Sequence, residues 1–518
     1  MKLRVKDLAI STGNPKIALM NSKDAKKYEL HFADRVRIKK GKKELTAILD
    51  ITDSHEILLP GQIGLFKEVY TAINANDDDI VSISIEQKPK SVEHIQNKLK
   101  GKELGYREMK DIVNDIVDGR LNEIELTYFV ASTYIYELTE DEIVHLIKCI
   151  INTGQTLNIN KKVVVDKHCI GGVAGNRTTM IVVPIVAAAG LYIPKTSSRS
   201  ITSAAGTADT AEVLCNVSYP LEDMKKIVKK VGGCIMWGGS MNLAPADDKI
   251  IKVEHPMSLD PIGQLLASIL AKKKSVSATH VLIDIPVGEG CKTECLERAK
   301  LLKEKFKSIG KKIGIEVKVV ITDGAQPIGN GIGPALEARD VLWTLQNSEN
   351  AAIDLKNKSI RLAGYIFELV NKSKKGQGWR LAKKILESGQ AYEKFIEIIE
   401  AQGTKIAFPE QIELGRYKET LKAKKTGVVL HIDNKAINRV AKLAGAPLDS
   451  KAGVYLHIHK YDKVKKGEKL ITVYADSKER LKFAKDFFAK GDTIIIEEKN
   501  KSIKKQTKKT KPNIKAKK

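Results

Sequence analysis

Residues 163–212 read VVVDKHCIGGVAGNRTTMIVVPIVAAAGLYIPKTSSRSITSAAGTADTAE, and the fold follows from this stretch. It opens on β-branched Val163, Val164 and Val165, a run suited to a buried strand. It turns polar at Asp166, Lys167 and His168 and enters a loop holding Gly171, Gly172 and Gly175. From Arg177 to Leu191 the pattern is that of a buried helix, so the loop's N–H groups lie at a helix N-terminus, where unpaired donors and partial positive charge suit an anion. A second turn of the same kind follows. Ile193 and Pro194 lead into TSSRSITSAAGT, in which Thr196, Ser197, Ser198, Ser200, Thr202, Ser203 and Thr207 offer hydroxyls and Arg199 a planar fork of donors, before ADTAE restarts a helix.

Two such loops at the ends of adjacent strands predict a site for two anions or one doubly anionic substrate. Glycine-rich strand-to-helix turns also arise for packing alone. The density of Lys, Arg, Ser and Thr in both turns favours phosphate binding, and Arg177 and Arg199 stand out among cations that are mostly lysine.

Working outward, DKHCIGGVAGN, KTSSRSITSAAGTAD and TDGAQPIGNGIGPALEARDVL (322–342) together resemble the archaeal AMP phosphorylases, a branch of the thymidine and pyrimidine-nucleoside phosphorylase family. The resemblance covers nearly the whole chain. It implies phosphorolysis of AMP by orthophosphate to adenine and ribose 1,5-bisphosphate, with CMP and UMP also accepted, in a nucleotide-degradation route that runs through an isomerase to RuBisCO. Residue by residue, it implies that Gly172, Ser198, Arg199, Ser200, Ile201, Thr202, Ser203 and Thr207 contact the nucleotide, with Ser268 in LASIL and Lys292 in VGEGCK completing that site. It makes Asp260 in MSLDP the proton donor, Lys167 and Thr207 phosphate contacts, and His168 a neighbour of the sugar. Cys169 stands where the pyrimidine enzymes carry a serine, so one phosphate hydroxyl is missing. Those enzymes also place an arginine near the base, and VEHPMSLDP has none. A purine leaves more readily once its ring nitrogen is protonated, which a carboxylic acid in a desolvated pocket can do. By local sequence alone, an Asp before Pro261 reads first as a turn or helix-start residue.

The chain has 518 residues, 42% of them hydrophobic, too many for one core. MKLRVKDLAI lacks the apolar core of a signal peptide, and the longest apolar stretch, near 180–193, is too short to span a bilayer, so a cytoplasmic protein without membrane contact is expected. The scattered cysteines Cys149, Cys169, Cys215, Cys234, Cys291 and Cys295 favour reduced thiols, and neither the Cys291/Cys295 nor the His457/His459 pair has the partners of a metal site. No metal and no cofactor are expected. Much of the formal charge of +25 sits in a lysine-rich tail from Lys499, predicted to be disordered and at most a loose, salt-dependent holder of nucleic acid.

The predicted fold class is multidomain α/β. Residues 1–87 alternate as a small β domain, which the resemblance links to assembly. Residues 92–160 have helical spacing, with Thr139 and Glu142 as a capping box, and the resemblance adds a returning segment near 245–275 that carries the base site. Residues 161–420 form a mixed or mostly parallel α/β domain carrying the phosphate site, and 425–497 a β-rich C-terminal α+β domain, before the tail at 498–518. Pro334 in GNGIGP is read as a helix start, not part of a dinucleotide loop. The expected partners are AMP and orthophosphate, within a homodimer or larger homo-oligomer. Two other readings stay open, a thymidine or nucleoside phosphorylase and a non-catalytic RNA-associated assembly protein.

Overall fold

The alternation of residues 1–87 closes a barrel. In this computed structural model, which describes residues 1–13, 15–200, 203–257, 259–491 and 493–498, the strands Lys2–Asp7, Ile17–Asn21, Arg35–Lys40, Lys43–Thr52, Gln62–Leu65 and Ile80–Ile85 join edge to edge. Leu3, Val5, Val36, Ile38, Val81 and Ile83 point inward at every second position and fill the barrel. The tail from residue 499 lies outside the described residues.

Two compact units emerge, Met1–Gln155 with Asn242–Lys272, and Thr156–Met241 with Lys273 onward. In the first, the barrel is followed by helices Lys90–Leu99, Tyr106–Asp118, Glu123–Ile135 and Glu140–Thr153, against which the helix Pro245–Met257 packs. The predicted capping box is present. Glu142 N–H donates to Thr139 Oγ1 at 3.3 Å and Thr139 N–H to Glu142 at 2.8 Å, and the same buried carboxylate receives Lys98 Nζ at 2.8 Å.

In the second unit, the strand Val165–Cys169 pairs in parallel with His280–Val287, which pairs in parallel with Glu316–Asp323. On its other side a parallel bridge from Val164 to Tyr192 leads to Ile193–Ser197, itself parallel to Gly233–Trp237. The expected mixed or mostly parallel sheet is thus parallel throughout these ladders, with the helix Thr178–Ala188 buried along nearly its whole length. The central strand also runs later than its β-branched run predicted, through Asp166, Lys167 and His168 to Cys169. Buried charge is tolerated there because Asp166 and its lysine neighbours pair with one another.

The C-terminal strands form two antiparallel sheets, backed by helices Asn434–Ala444 and Lys478–Ala489. The strand Tyr417–Lys422 pairs with Lys469–Ala475, so this sheet begins upstream of 425. Gly331–Ile332 pairs with Gly453–Leu456, and Pro334 opens the helix Pro334–Leu345, as its sequence position predicted. Among the described residues no helix is long and apolar enough to cross a membrane.

Candidate active site

The first loop is built on a buried lysine. Lys167 is 1% exposed, and its Nζ donates to Thr178 Oγ1 at 2.9 Å and Thr179 Oγ1 at 3.3 Å, the hydroxyls that open the helix Thr178–Ala188. Burial lowers the ammonium's proton affinity, and the nearby charges of Lys358 and Arg177 push the same way. Beside it, the fully buried Asp166 meets Lys273 Nζ at 2.7 Å and Lys195 Nζ at 3.7 Å. Desolvation brings Lys195 down to about 7 despite Asp166. Burial and four neighbouring lysines hold His168 well below the usual histidine range, so it is a neutral ring at physiological pH. Cys169 is a neutral thiol, pushed up to about 11 by burial, and Asn176 Nδ2 lies 3.4 Å from its sulfur.

The glycine loop closes onto a distant segment. Gly172 has φ +97°, and a Cβ there would stand 2.5 Å from the Lys292 amide nitrogen and 2.6 Å from Cys291 Cα. Only glycine fits that left-handed, backbone-to-backbone approach. Gly172 and Lys292, separate in sequence and both expected at the nucleotide, are therefore neighbours.

The second loop is held from below by one carboxylate. Asp209 Oδ2 accepts Ser200 N–H at 2.7 Å and Gly206 N–H at 2.8 Å, fixing the loop at the start of the helix Thr207–Leu214. Gly206 has no room for a side chain, since a Cβ would lie 2.7 Å from Ser198 O and from Ser200 N. Ser200 Oγ donates to Ser203 O, and Ser203 Oγ to Ala205 O at 2.8 Å. Ser198 offers its carbonyl to Ala208 N–H at 3.4 Å. Ile201 and Thr202 lie outside the described residues.

Both arginines are tied to carboxylates. Arg177 joins the loops: its Nε meets buried Glu337, Nη1 donates to Thr207 Oγ1 at 3.1 Å, and Nη2 to Ala205 O at 2.7 Å. Its fork is consumed by protein, so it shapes the second loop in place of offering an open anion site. Arg199 is one-third exposed, stacks on Trp237 at 4.8 Å, and pairs with Glu212 at 2.5 and 2.8 Å and with Asp209 at 3.3 Å. Its guanidinium is oriented, with both terminal nitrogens turned to Glu212.

In the other unit, Asp260 is half-buried, two residues before the helix Ile262–Ser275. Ser268 on that helix donates to Asp247 Oδ2 at 2.8 Å, and the same oxygen receives Lys272 Nζ at 2.7 Å. Lys272 is the polar neighbour the sequence reading missed, although its position one turn beyond Ser268 was a usable signal. One turn before, buried Gln264 donates to Thr133 Oγ1 at 2.8 Å. This helix thus presents serine, amide and ammonium groups in series, while the loops of the second unit present N–H groups, hydroxyls and buried ammoniums suited to anions.

Three family models match the chain in order: the glycosyl transferase family helical bundle domain at residues 92–154, the glycosyl transferase family a/b domain at 161–392, and the pyrimidine nucleoside phosphorylase C-terminal domain at 428–494. The AMP phosphorylase of Pyrococcus furiosus is 46% identical over 93% of this chain and 95% of its own length. AMP phosphorylase 1 of Archaeoglobus fulgidus is 45% identical over 89% of this chain and 91% of its own. A chain of Legionella pneumophila (strain Corby), provisionally named a thymidine phosphorylase, is 42% identical over 95% of both. Among solved structures, anthranilate phosphoribosyltransferase of Thermus thermophilus shares the fold, with a TM-score of 0.51 at 16% identity over 60% of this chain and 99% of its own.

Proposed function

We infer the reaction from the premise that this chain belongs to the AMP phosphorylase family: AMP and orthophosphate are converted to adenine and ribose 1,5-bisphosphate. An orthophosphate oxygen bonds to the anomeric carbon, the glycosidic bond breaks with its electrons passing to the base, and a proton goes to the departing ring nitrogen. CMP and UMP belong to the same reading as further substrates.

Lys167 and Thr207 hold orthophosphate, and His168, as a neutral ring, lies beside the sugar. Gly172 and Lys292, with Ser198, Arg199, Ser200, Ile201, Thr202, Ser203 and Thr207, bind the nucleotide, the 5′-phosphate falling to the Arg199 loop. Asp260 protonates the leaving base, and Ser268 contacts it. The observation that carries the reading is the set of buried lysines around Lys167, whose charge exceeds that of the carboxylates among them. Such an excess is costly when empty and is neutralised by a bound anion.

Self-association is part of the proposal. Ile124, Tyr128 and Ile135 on the helix Glu123–Ile135 are 65%, 54% and 64% exposed, an apolar face suited to a second copy. A cytoplasmic setting accords with six free thiols. The test is a screen of AMP, CMP and UMP with orthophosphate, read by release of free base. Release that needs orthophosphate supports the assignment, and release of no base from any nucleotide contradicts it.

A further inference from the structure

We propose that Lys358 is a further orthophosphate-binding residue, supplying its ammonium beside the polar cluster of Lys167, Thr178 and Thr179. The proposal rests on the phosphorylase reading above.

Lys358 lies on the helix Ile353–Leu369, which packs on both the helix Thr178–Ala188 and the strand His280–Val287. Its side chain is 12% exposed, and its Nζ stands 3.4 Å from Oδ2 of Asp284, which is fully buried. Among the described residues neither atom has a hydrogen-bond partner. The other oxygen of Asp284 is taken by Thr322 Oγ1 at 2.6 Å. A closed internal ion pair would be drawn in to about 2.7–2.9 Å with a hydrogen bond. This one is left long, with a donor to spare.

That donor faces the right chemistry. Asp284 is the register partner of Cys169 on the neighbouring parallel strand, so their side chains share a sheet face. From Cys169 the polar contacts run through Asn176 Nδ2 at 3.4 Å, from Asn176 Oδ1 to Thr178 Oγ1 at 3.0 Å, and on to Lys167 Nζ at 2.9 Å. The charge of Lys358 is felt at both ends of this chain, since it lowers the proton affinity of Lys167 and of Cys169.

The balance of charge points the same way. On the face that Cys169 and Asp284 share, Lys167 and Lys358 stand against the carboxylate of Asp284, which leaves a net positive charge when all are ionised. Orthophosphate, as an anion, neutralises that excess. A thiol at Cys169 is a weak donor, and an ammonium at Lys358 makes up the deficit where a hydroxyl would otherwise serve.

Removing Lys358 alone would strand the Asp284 carboxylate, so the experiment compares full-length Asp284→Asn with Lys358→Met/Asp284→Asn. Each is titrated with orthophosphate by calorimetry and assayed for KM of orthophosphate and of AMP. The double variant should bind orthophosphate about tenfold or more weakly than Asp284→Asn, as expected for a lost charge-assisted contact, with KM for AMP changed less than about twofold. Equal orthophosphate affinity in the two variants would overturn the proposal and leave Lys358 as the counter-ion of Asp284. A wild-type chain that binds orthophosphate yet releases no base would overturn the phosphorylase reading alone. One that binds no orthophosphate would overturn both.

Discussion

Gly172 rests against Lys292, with space of only 2.5 Å between the position of a Cβ on the glycine and the lysine's amide nitrogen. The glycine loop and the VGEGCK segment therefore form one surface, and its shape depends on the missing side chain. Gly172→Ala must relieve both a backbone clash and a φ of +97°, at a cost of about 1–3 kcal/mol. The expected outcome is a lower melting temperature together with a raised KM for AMP. Gly171→Ala, which meets nothing within 4 Å but shares the positive φ of +103°, separates strain from contact and should raise KM less.

Arg199→Ala should weaken AMP binding by about 1.5–3 kcal/mol, the range for a lost hydrogen bond to a charged group. Turnover of adenosine, which lacks the 5′-phosphate, should change little. Titration calorimetry with AMP checks this, and an unchanged affinity would remove Arg199 from the nucleotide site.

Lys195 sits at about 7 in the fold against the ordinary lysine value of 10.5 when unfolded. Its pKa is lowered, so the unfolded chain holds the extra proton between the two values. Stability therefore rises as pH climbs from about 7 towards 10.5, and the cost of holding this lysine charged in the fold is fully present below about 7. A bound dianion favours the charged lysine and opposes that cost. Sulfate, whose charge is constant across this range, should raise the melting temperature more at pH 6.5 than at pH 8.5, by roughly the pH dependence a single lysine can carry. Lys195→Met should abolish the difference between the two pH values.

How much of this was legible in sequence is seen residue by residue. The strands of the small β domain followed from alternation in LRVKDLAI and its neighbours, though not their closure into a barrel, and the capping box followed from the spacing of Thr139 and Glu142, because local periodicity and short-range bonds suffice there. The strand through Asp166 and Lys167 was cut short because polarity reads as exposure, whereas the partners that allow burial, Lys195, Lys273, Thr178 and Thr179, come from other elements. Arg177 stood out in sequence only as an arginine within a phosphate-type turn, because nothing near it announces Glu337, its buried partner from a helix far along the chain. Gly172 and Lys292 were each named by resemblance, but their contact is a property of the folded loop alone.

Asp260→Asn keeps the side chain's size but cannot deliver a proton. If Asp260 protonates the departing base, kcat for AMP should fall by about 10²–10⁴ with little change in AMP binding. Substrates whose base leaves without protonation should lose less. A near-normal kcat in the variant would leave Asp260 as a helix-start residue before Ile262–Ser275.

The most direct test of the account follows the products of the wild-type protein by phosphorus and proton magnetic resonance, with orthophosphate present and AMP or adenosine supplied at equal concentration. An AMP phosphorylase yields free adenine and ribose 1,5-bisphosphate from AMP, in equal amounts and only with orthophosphate, and far slower release from adenosine. Adenosine or thymidine consumed as fast as AMP, with ribose or deoxyribose 1-phosphate as product, would contradict it and make the protein a nucleoside phosphorylase.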